Sequence, residues 1–167
     1  MKYNCEICNK QHVIYFGMKA EASQTLGEII KYEDTRVEEL EKDYFFVDKS
    51  IVVIPAILEI QTESDILFTY ETWVEINWDK FSRMADDFKN SKGAKIHGKL
   101  YDDLVPYYTE SKGTNCIVEF LPNSIDKDRA RITILDDSQL KLDQKNGISE
   151  VRLMELMNLI HHNPNAT

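Results

Sequence analysis

Ten residues in the middle of the chain, 67–76, alternate without a break between two kinds of side chain. Phe68, Tyr70, Thr72, Val74 and Ile76 fall on one face of an extended strand, and Leu67, Thr69, Glu71, Trp73 and Glu75 on the other. Successive side chains of a strand point to opposite sides of its sheet, so this pattern is that of a strand with one buried face. A helix of the same residues would scatter the apolar set around its circumference. A sheet must therefore exist to pair this segment. Trp73, alone among polar neighbours on the second face, marks a second packing layer or an exposed contact, and a helix packed over that face is the expected explanation.

Partners for that strand are legible on both sides. The β-branched and aromatic runs 44–47 and 51–54 are split by Asp48-Lys49-Ser50, a turn, and 56–60 extends the second run. Pro55 cannot donate to a ladder, so an edge position or a bulge is expected there. Thr62-Glu63-Ser64-Asp65 reads as a hairpin turn. Further strands are expected at 94–100, weakened by Gly98, and at 115–121 and 131–135. Helices are expected at 20–32, at 35–42 where Thr35 and Glu38 form a capping box, at 78–90 and at 149–161. Ser149 caps the last of these, and its run of Val151, Leu153, Met154, Leu156, Met157, Leu159 and Ile160 predicts extensive burial. The expected fold is a single α+β domain over 1–167, with a mainly antiparallel sheet flanked by helices. An N-terminal Cys-x-x-Cys knuckle occupies 1–19, the α+β core 20–162 and a tail 163–167.

A chain of 167 residues, 43% of them hydrophobic, is large enough to fold around its own core without a metal. Domains of this size hide about 70% of their extended surface. Acidic residues outnumber basic ones 29 to 20, and the net charge of −9 repels phosphate backbones and anionic lipid. Nucleic acid and membranes are therefore not expected partners, whereas a basic protein is. No segment approaches the roughly 18 apolar residues of a membrane span, and the first residues lack the apolar run of a secretion signal. Three cysteines exclude a complete disulfide framework. A cytoplasmic location is expected, where thiols stay reduced.

The chemistry is concentrated at the start, in Cys5-Glu6-Ile7-Cys8 followed by His12. Two thiolates and an imidazole at this spacing converge on one zinc ion, whose tetrahedral shell takes four such ligands. The fourth is expected from His161 or its neighbour His162 at the end of the last helix, because chain ends often lie close together. The metal set is thus Cys5, Cys8, His12 and His161, with one structural zinc as the expected cofactor. Cys5 and Cys8 also admit two other readings, inert reduced thiols or a redox pair, the latter needing a helix N-terminus to lower a thiol pKa. Cys116 sits in an apolar run and reads as a core thiol. His97 reads as an ordinary half-exposed histidine. The paired acids Asp86-Asp87, Asp102-Asp103 and Asp136-Asp137 are not dyads, since adjacent strand residues face opposite ways. No phosphate loop, nucleophile elbow or His-Glu-x-x-His appears.

The ordered set of motifs resembles a bacterial family known as domain of unknown function 2199. Its opening Cys-x-x-Cys-Gly-x-x-His corresponds to residues 5–12, with Asn9 in place of the glycine. Leu58-Glu59-Ile60, Trp73-Val74, Phe81, Arg83 and the Gln144…Gly147-Ile148 segment with the closing histidines follow in the family's order. Tyr70-Glu71 and Gln61 depart from its pattern. The resemblance implies one domain over nearly the whole chain and brings no activity with it. The function expected is a non-catalytic, zinc-stabilised protein-binding module. An immunity protein against a basic toxin and a thiol oxidoreductase using Cys5 and Cys8 are the alternatives.

Overall fold

The computed structural model describes residues 2–14, 16–18, 27, 37–41, 44–89, 93–121 and 130–162. The expected helix at 20–32 and the tail at 163–167 lie essentially outside them. A short antiparallel hairpin, β1 (Lys2–Asn4) and β2 (Gln11–Val13), opens the chain. The main sheet holds β3 (Gly17–Met18), β4 (Val37–Glu41), β5 (Tyr44–Val47), β6 (Ile51–Gln61), β7 (Leu67–Asn77), β8 (Ala94–Leu100), β9 (Asn115–Phe120) and β10 (Ala130–Ile134). Three helices are described: α1 (Trp78–Lys89), α2 (Gln139–Asn146) and α3 (Glu150–His162). Among the described residues no helix is long and apolar enough to cross a membrane.

The sheet closes on itself. Antiparallel pairing runs β6–β7–β8–β9–β10, and β10 then pairs with β6 in parallel, Ala130 opposite Ala56 and Ile132 opposite Leu58. Five consecutive up-and-down strands leave the first and last pointing the same way, so the closing pair has to be parallel. The mainly antiparallel sheet expected from the sequence is thus a mixed, barrel-like one, with a second parallel pair at β3 and β7. Its interior is filled by the alternate residues of each strand, among them Ile54, Leu58, Ile60, Phe68, Val74, Ile76, Leu100, Cys116 and Val118, all essentially buried. Burying a side chain the size of Phe68 contributes about 2–3 kcal/mol. Gly98 is required by the closure. A Cβ there would stand 2.8 Å from Val118 Cγ2 and 2.9 Å from the Glu75 carbonyl oxygen.

Pro55 lies inside β6, neither at an edge strand nor at a bulge, opposite Trp73. The Trp78 amide donates to the Ser50 carbonyl, which sets the ladder's parity: even-numbered residues of β6 exchange bonds with β7, and the Pro55 nitrogen faces away. On that other side β5 has ended its pairing at Val53 and β10 begins at Ala56. The proline therefore sits at the gap between two half-length neighbours, where no amide is needed.

Segment 37–41 is a strand, not the expected short helix; it pairs antiparallel with β5, Glu38 opposite Phe46. The layer beside Trp73 also differs from expectation. Among the described residues it is built from strands and a turn, with Phe45, Ile51, Val47, Val53 and Tyr101 gathered around the indole.

Helix α2 follows β10 and places Gln144 against it. Its amide nitrogen donates to the Ile132 carbonyl at 2.7 Å and its oxygen accepts from the Ile134 amide at 2.8 Å, so one side chain stands in for a neighbouring strand. Gly147 follows with φ +78, and a Cβ there would lie 2.9 Å from the Gln61 carbonyl oxygen, to which the Ile148 amide donates. The Gln144…Gly147-Ile148 motif is thus a joint that turns the chain onto the β6 end. Ser149 accepts from the Arg152 amide and starts α3 as expected. That helix buries Leu153, Leu156 and Met157 but leaves Val151 72% and Leu159 43% exposed, so its apolar run is only half used.

Candidate metal centre

The chain reverses between β1 and β2 through a tight turn. The Cys5 amide donates to the Lys10 carbonyl and the Asn9 amide to the Cys5 carbonyl, each at 2.9 Å. Asn9 holds φ +55, the left-handed conformation that asparagine tolerates better than most non-glycine residues. The hairpin register sets His12 opposite Tyr3, which returns the imidazole to the thiols. Cys8 Sγ lies 3.0 Å from His12 Nε2.

The last turn of α3 closes the group from the far end of the chain. Cys5 Sγ lies 3.1 Å from His162 Nε2, and one ligand atom from each of Cys5, Cys8, His12 and His162 falls within 4.8 Å of all the others. The expected fourth ligand, His161, is placed otherwise. Its Nε2 is 3.0 Å from the Val13 carbonyl oxygen, and its ring stacks on His12 at 4.2 Å with 19° between planes. His161 therefore braces His12, and His162 stands beside Cys5.

Two thiolates and two imidazoles around a zinc ion have donor atoms roughly 3.3–3.8 Å apart, from bond lengths of about 2.3 and 2.0 Å. The four atoms here, with two thiol–imidazole pairs at 3.1 and 3.0 Å and every pair within 4.8 Å, are close enough to converge on one metal ion. The protonation states suit it as well. Burial pushes the Cys5 thiol up, but hydrogen bonds to its sulfur from the Cys8 amide, His162, the Ile7 amide and the Cys8 thiol outweigh this and bring it down to about 7. Burial, then the charges of His161, His162 and Lys10, hold His12 below its ordinary value, toward the neutral form a metal ligand needs.

Two further residues frame the cluster, and neither was singled out in the sequence. Asn158, one helical turn before His162, accepts from the Tyr3 hydroxyl at 2.7 Å and from the Cys5 thiol at 3.4 Å. Burial raises the Tyr3 pKa, and the Cys5 and Cys8 sulfurs add to the effect. The signal available was Asn158 itself, an uncharged polar residue in the apolar run of the last helix, spaced i, i+4 from His162.

The geometry is not that of a redox pair. Cys5-Glu6-Ile7-Cys8 lies in the turn of a hairpin rather than at a helix N-terminus, and Cys5 is 1% exposed. Cys116 is buried inside the barrel, where desolvation, then Asp136 and Glu75, push its thiol up to about 12. His97 is exposed on β8, along an open groove of about 350 Å³ that also touches Glu75, Lys80 and Lys99 and shares no residue with the cluster. Asp86-Asp87 lies in α1, whereas the other two acid pairs serve turns. Asp103 accepts from the Lys112 amide, Asp136 from the Asn115 amide and side chain, and Asp137 pairs with Lys141.

Residues 4–148 match a family described as uncharacterised protein conserved in bacteria (DUF2199). The matched span takes in Cys5, Cys8 and His12 and ends before α3. No curated protein and no solved structure matches the chain.

Proposed function

The chain belongs to this bacterial family, and from that premise we propose a non-catalytic role, that of an acidic protein-binding module whose two ends are fastened by one zinc ion. Cys5, Cys8, His12 and His162 would hold the ion. The observation that carries this reading is the meeting of four metal-ligating atoms within 4.8 Å, three from the first hairpin and one from the last helical turn. Four protein ligands leave no open position for substrate, which is the mark of a structural rather than a catalytic site. When bound, the metal supplies a cross-link between segments about 150 residues apart in sequence.

The protein's own residues prepare that link. The Asn9 turn aligns the two thiols, and His161 steadies the His12 ring. The net charge of −9 supports a basic protein as partner, because complementary charge speeds capture and fixes orientation. Zinc content measured on protein purified without added metal tests the fastener. About one ion per chain is expected, falling toward zero in Cys5→Ser together with the melting temperature. A stoichiometry near zero with both thiols freely reactive overturns it. Association with small cationic proteins, measured at low and high salt, tests the partner class. Rates that ignore salt contradict it.

A further inference from the structure

The open groove of about 350 Å³ on the outer face of the barrel gathers two cations and one anion that do not join one another. Glu75 of β7 stands directly opposite Lys99 of β8, so both side chains leave the sheet on the same face. Lys80 enters from the first turn of α1. The start of that helix is fixed by Asn77, whose side-chain oxygen accepts from the Lys80 amide at 3.2 Å. His97 lies two residues from Lys99 along β8 and shares its face. Both lysines and the histidine are exposed, and Glu75 is half-buried. Elsewhere on this outer face opposite charges do meet. Lys95 reaches Glu119, its cross-strand partner, at 3.1 Å, and Arg131 reaches Glu59 at 3.3 Å. Among the described residues Glu75, Lys80 and Lys99 form no such pair, although Glu75 and Lys99 share a register position. A further carboxylate in electrostatic reach of Lys99, that of Asp136, is taken up by the Asn115 amide at 2.7 Å and its side chain at 3.0 Å.

We propose that this groove binds a small amino dicarboxylate, a molecule with one ammonium and two carboxylates, the class of free glutamate and aspartate. The charge count carries the inference. Two cations and one anion line the groove, and the ligand offers the reverse. Lys80 and Lys99 each take a carboxylate, and Glu75 takes the ammonium. The two lysines come from different elements, a helix and a strand, which suits two carboxylates at separate ends of a short chain. The ammonium matters twice. It satisfies Glu75, and it lowers the repulsion that a chain of net charge −9 exerts on an approaching dianion. The groove's volume is at the lower end of small-molecule sites, which span roughly 300–1,000 Å³. It shares no residue with the metal cluster, so the inference goes beyond the fastening role and stands without it.

Titration of the full chain with L-glutamate and L-aspartate, followed by amide NMR, tests the site. Saturable shifts are expected at residues 75–80 and 97–99, with a Kd of about 1 mM or below for so small a ligand. Glutarate, which lacks the ammonium, and γ-aminobutyrate, which lacks the second carboxylate, should each bind roughly 10-fold more weakly, the cost of one lost charged contact. Lys80→Gln and Lys99→Gln should weaken glutamate by a similar factor. So should Glu75→Gln, and there the sign decides. A site for plain anions would gain affinity on losing that carboxylate. Absence of saturable shifts with both amino acids overturns the proposal. So does glutarate binding as tightly as glutamate, or tighter glutamate binding in Glu75→Gln. The substituted side chains lie on the surface, and melting temperatures close to that of the wild type separate lost binding from lost folding. Should a variant not fold, the ligand series on the wild-type chain decides alone.

Discussion

The barrel and the junction of the chain ends are both closed, but by different forces. The barrel closes through backbone ladders around a core in which Ile54, Leu58, Phe68 and Val74 reach zero exposure. The junction closes through a handful of polar side chains, Tyr3, Cys5, His12, Asn158, His161 and His162, several of them half-exposed. Apolar burial is non-directional and tolerates small shifts, whereas a cluster of thiols and imidazoles holds only in one geometry and one protonation state. The first region should therefore set whether the domain folds, and the second whether its two ends stay attached. Each region can be broken without the other.

The largest effect belongs to the barrel. Phe68→Ala removes a fully buried ring that packs edge-on against Tyr107, and should cost about 3–5 kcal/mol of global stability in denaturant titration. Zinc affinity measured below the unfolding transition should stay near that of the wild type.

Removal of the metal comes next. A cross-link closing so long a loop contributes about 2–4 kcal/mol. Chelation should strip hydrogen-exchange protection from β1, β2 and the last turn of α3 while β6 to β10 keep theirs. Thiol labelling supplies an independent check. Cys5 and Cys8 should react once the metal is gone. Cys116, with its pKa pushed up to about 12 and no exposure, has almost no thiolate near neutral pH and should react only on global unfolding. Labelling of all three together would erase the distinction between the regions.

A seam between them gives the third test. Asp143 is buried under α3, accepting from the Tyr108 hydroxyl at 2.7 Å and the Gln139 amide at 2.6 Å, with Arg152 Nε at 3.5 Å. Asp143→Ala leaves these donors unpaired and should cost about 1–3 kcal/mol. If the seam couples the regions, α3 should exchange faster along its whole length, not only at its last turn.

Legibility in the sequence divides along the same line. β7 was readable because its alternation is local, and Cys5, Cys8 and His12 because their spacing is. Barrel closure was not, since the β10–β6 pairing depends on strands some 70 residues apart finding one edge. β4 is disguised in the sequence because glutamates on a strand bordering the sheet imitate a capped, solvated helix. α2 leaves no helical period in the sequence because only Leu140 and Asp143 face inward. The choice between His161 and His162 turned on which flank of α3 meets the knuckle. The buried stripe of Leu153, Leu156 and Met157 packs on the barrel and places His161 nearer to it, but the knuckle grips the flank that carries Asn158 and His162.

The smallest effect lies at one backbone angle of the knuckle. At φ +55, Asn9 carries modest strain, and its amide closes the turn onto the Cys5 carbonyl. Asn9→Gly relieves the strain but frees the unfolded chain, and these effects oppose one another, so stability should move by no more than about 0.5 kcal/mol. Asn9→Val forces a β-branched residue into the same conformation at a cost of about 1–2 kcal/mol, felt by the turn alone. Because that turn sets Cys8 against Cys5, the valine should lower zinc affinity while barrel exchange rates stay constant. A valine variant with wild-type zinc affinity would mean that the ligands are aligned by α3 from the other side, and that the helix, not the knuckle, is the rigid half of the junction.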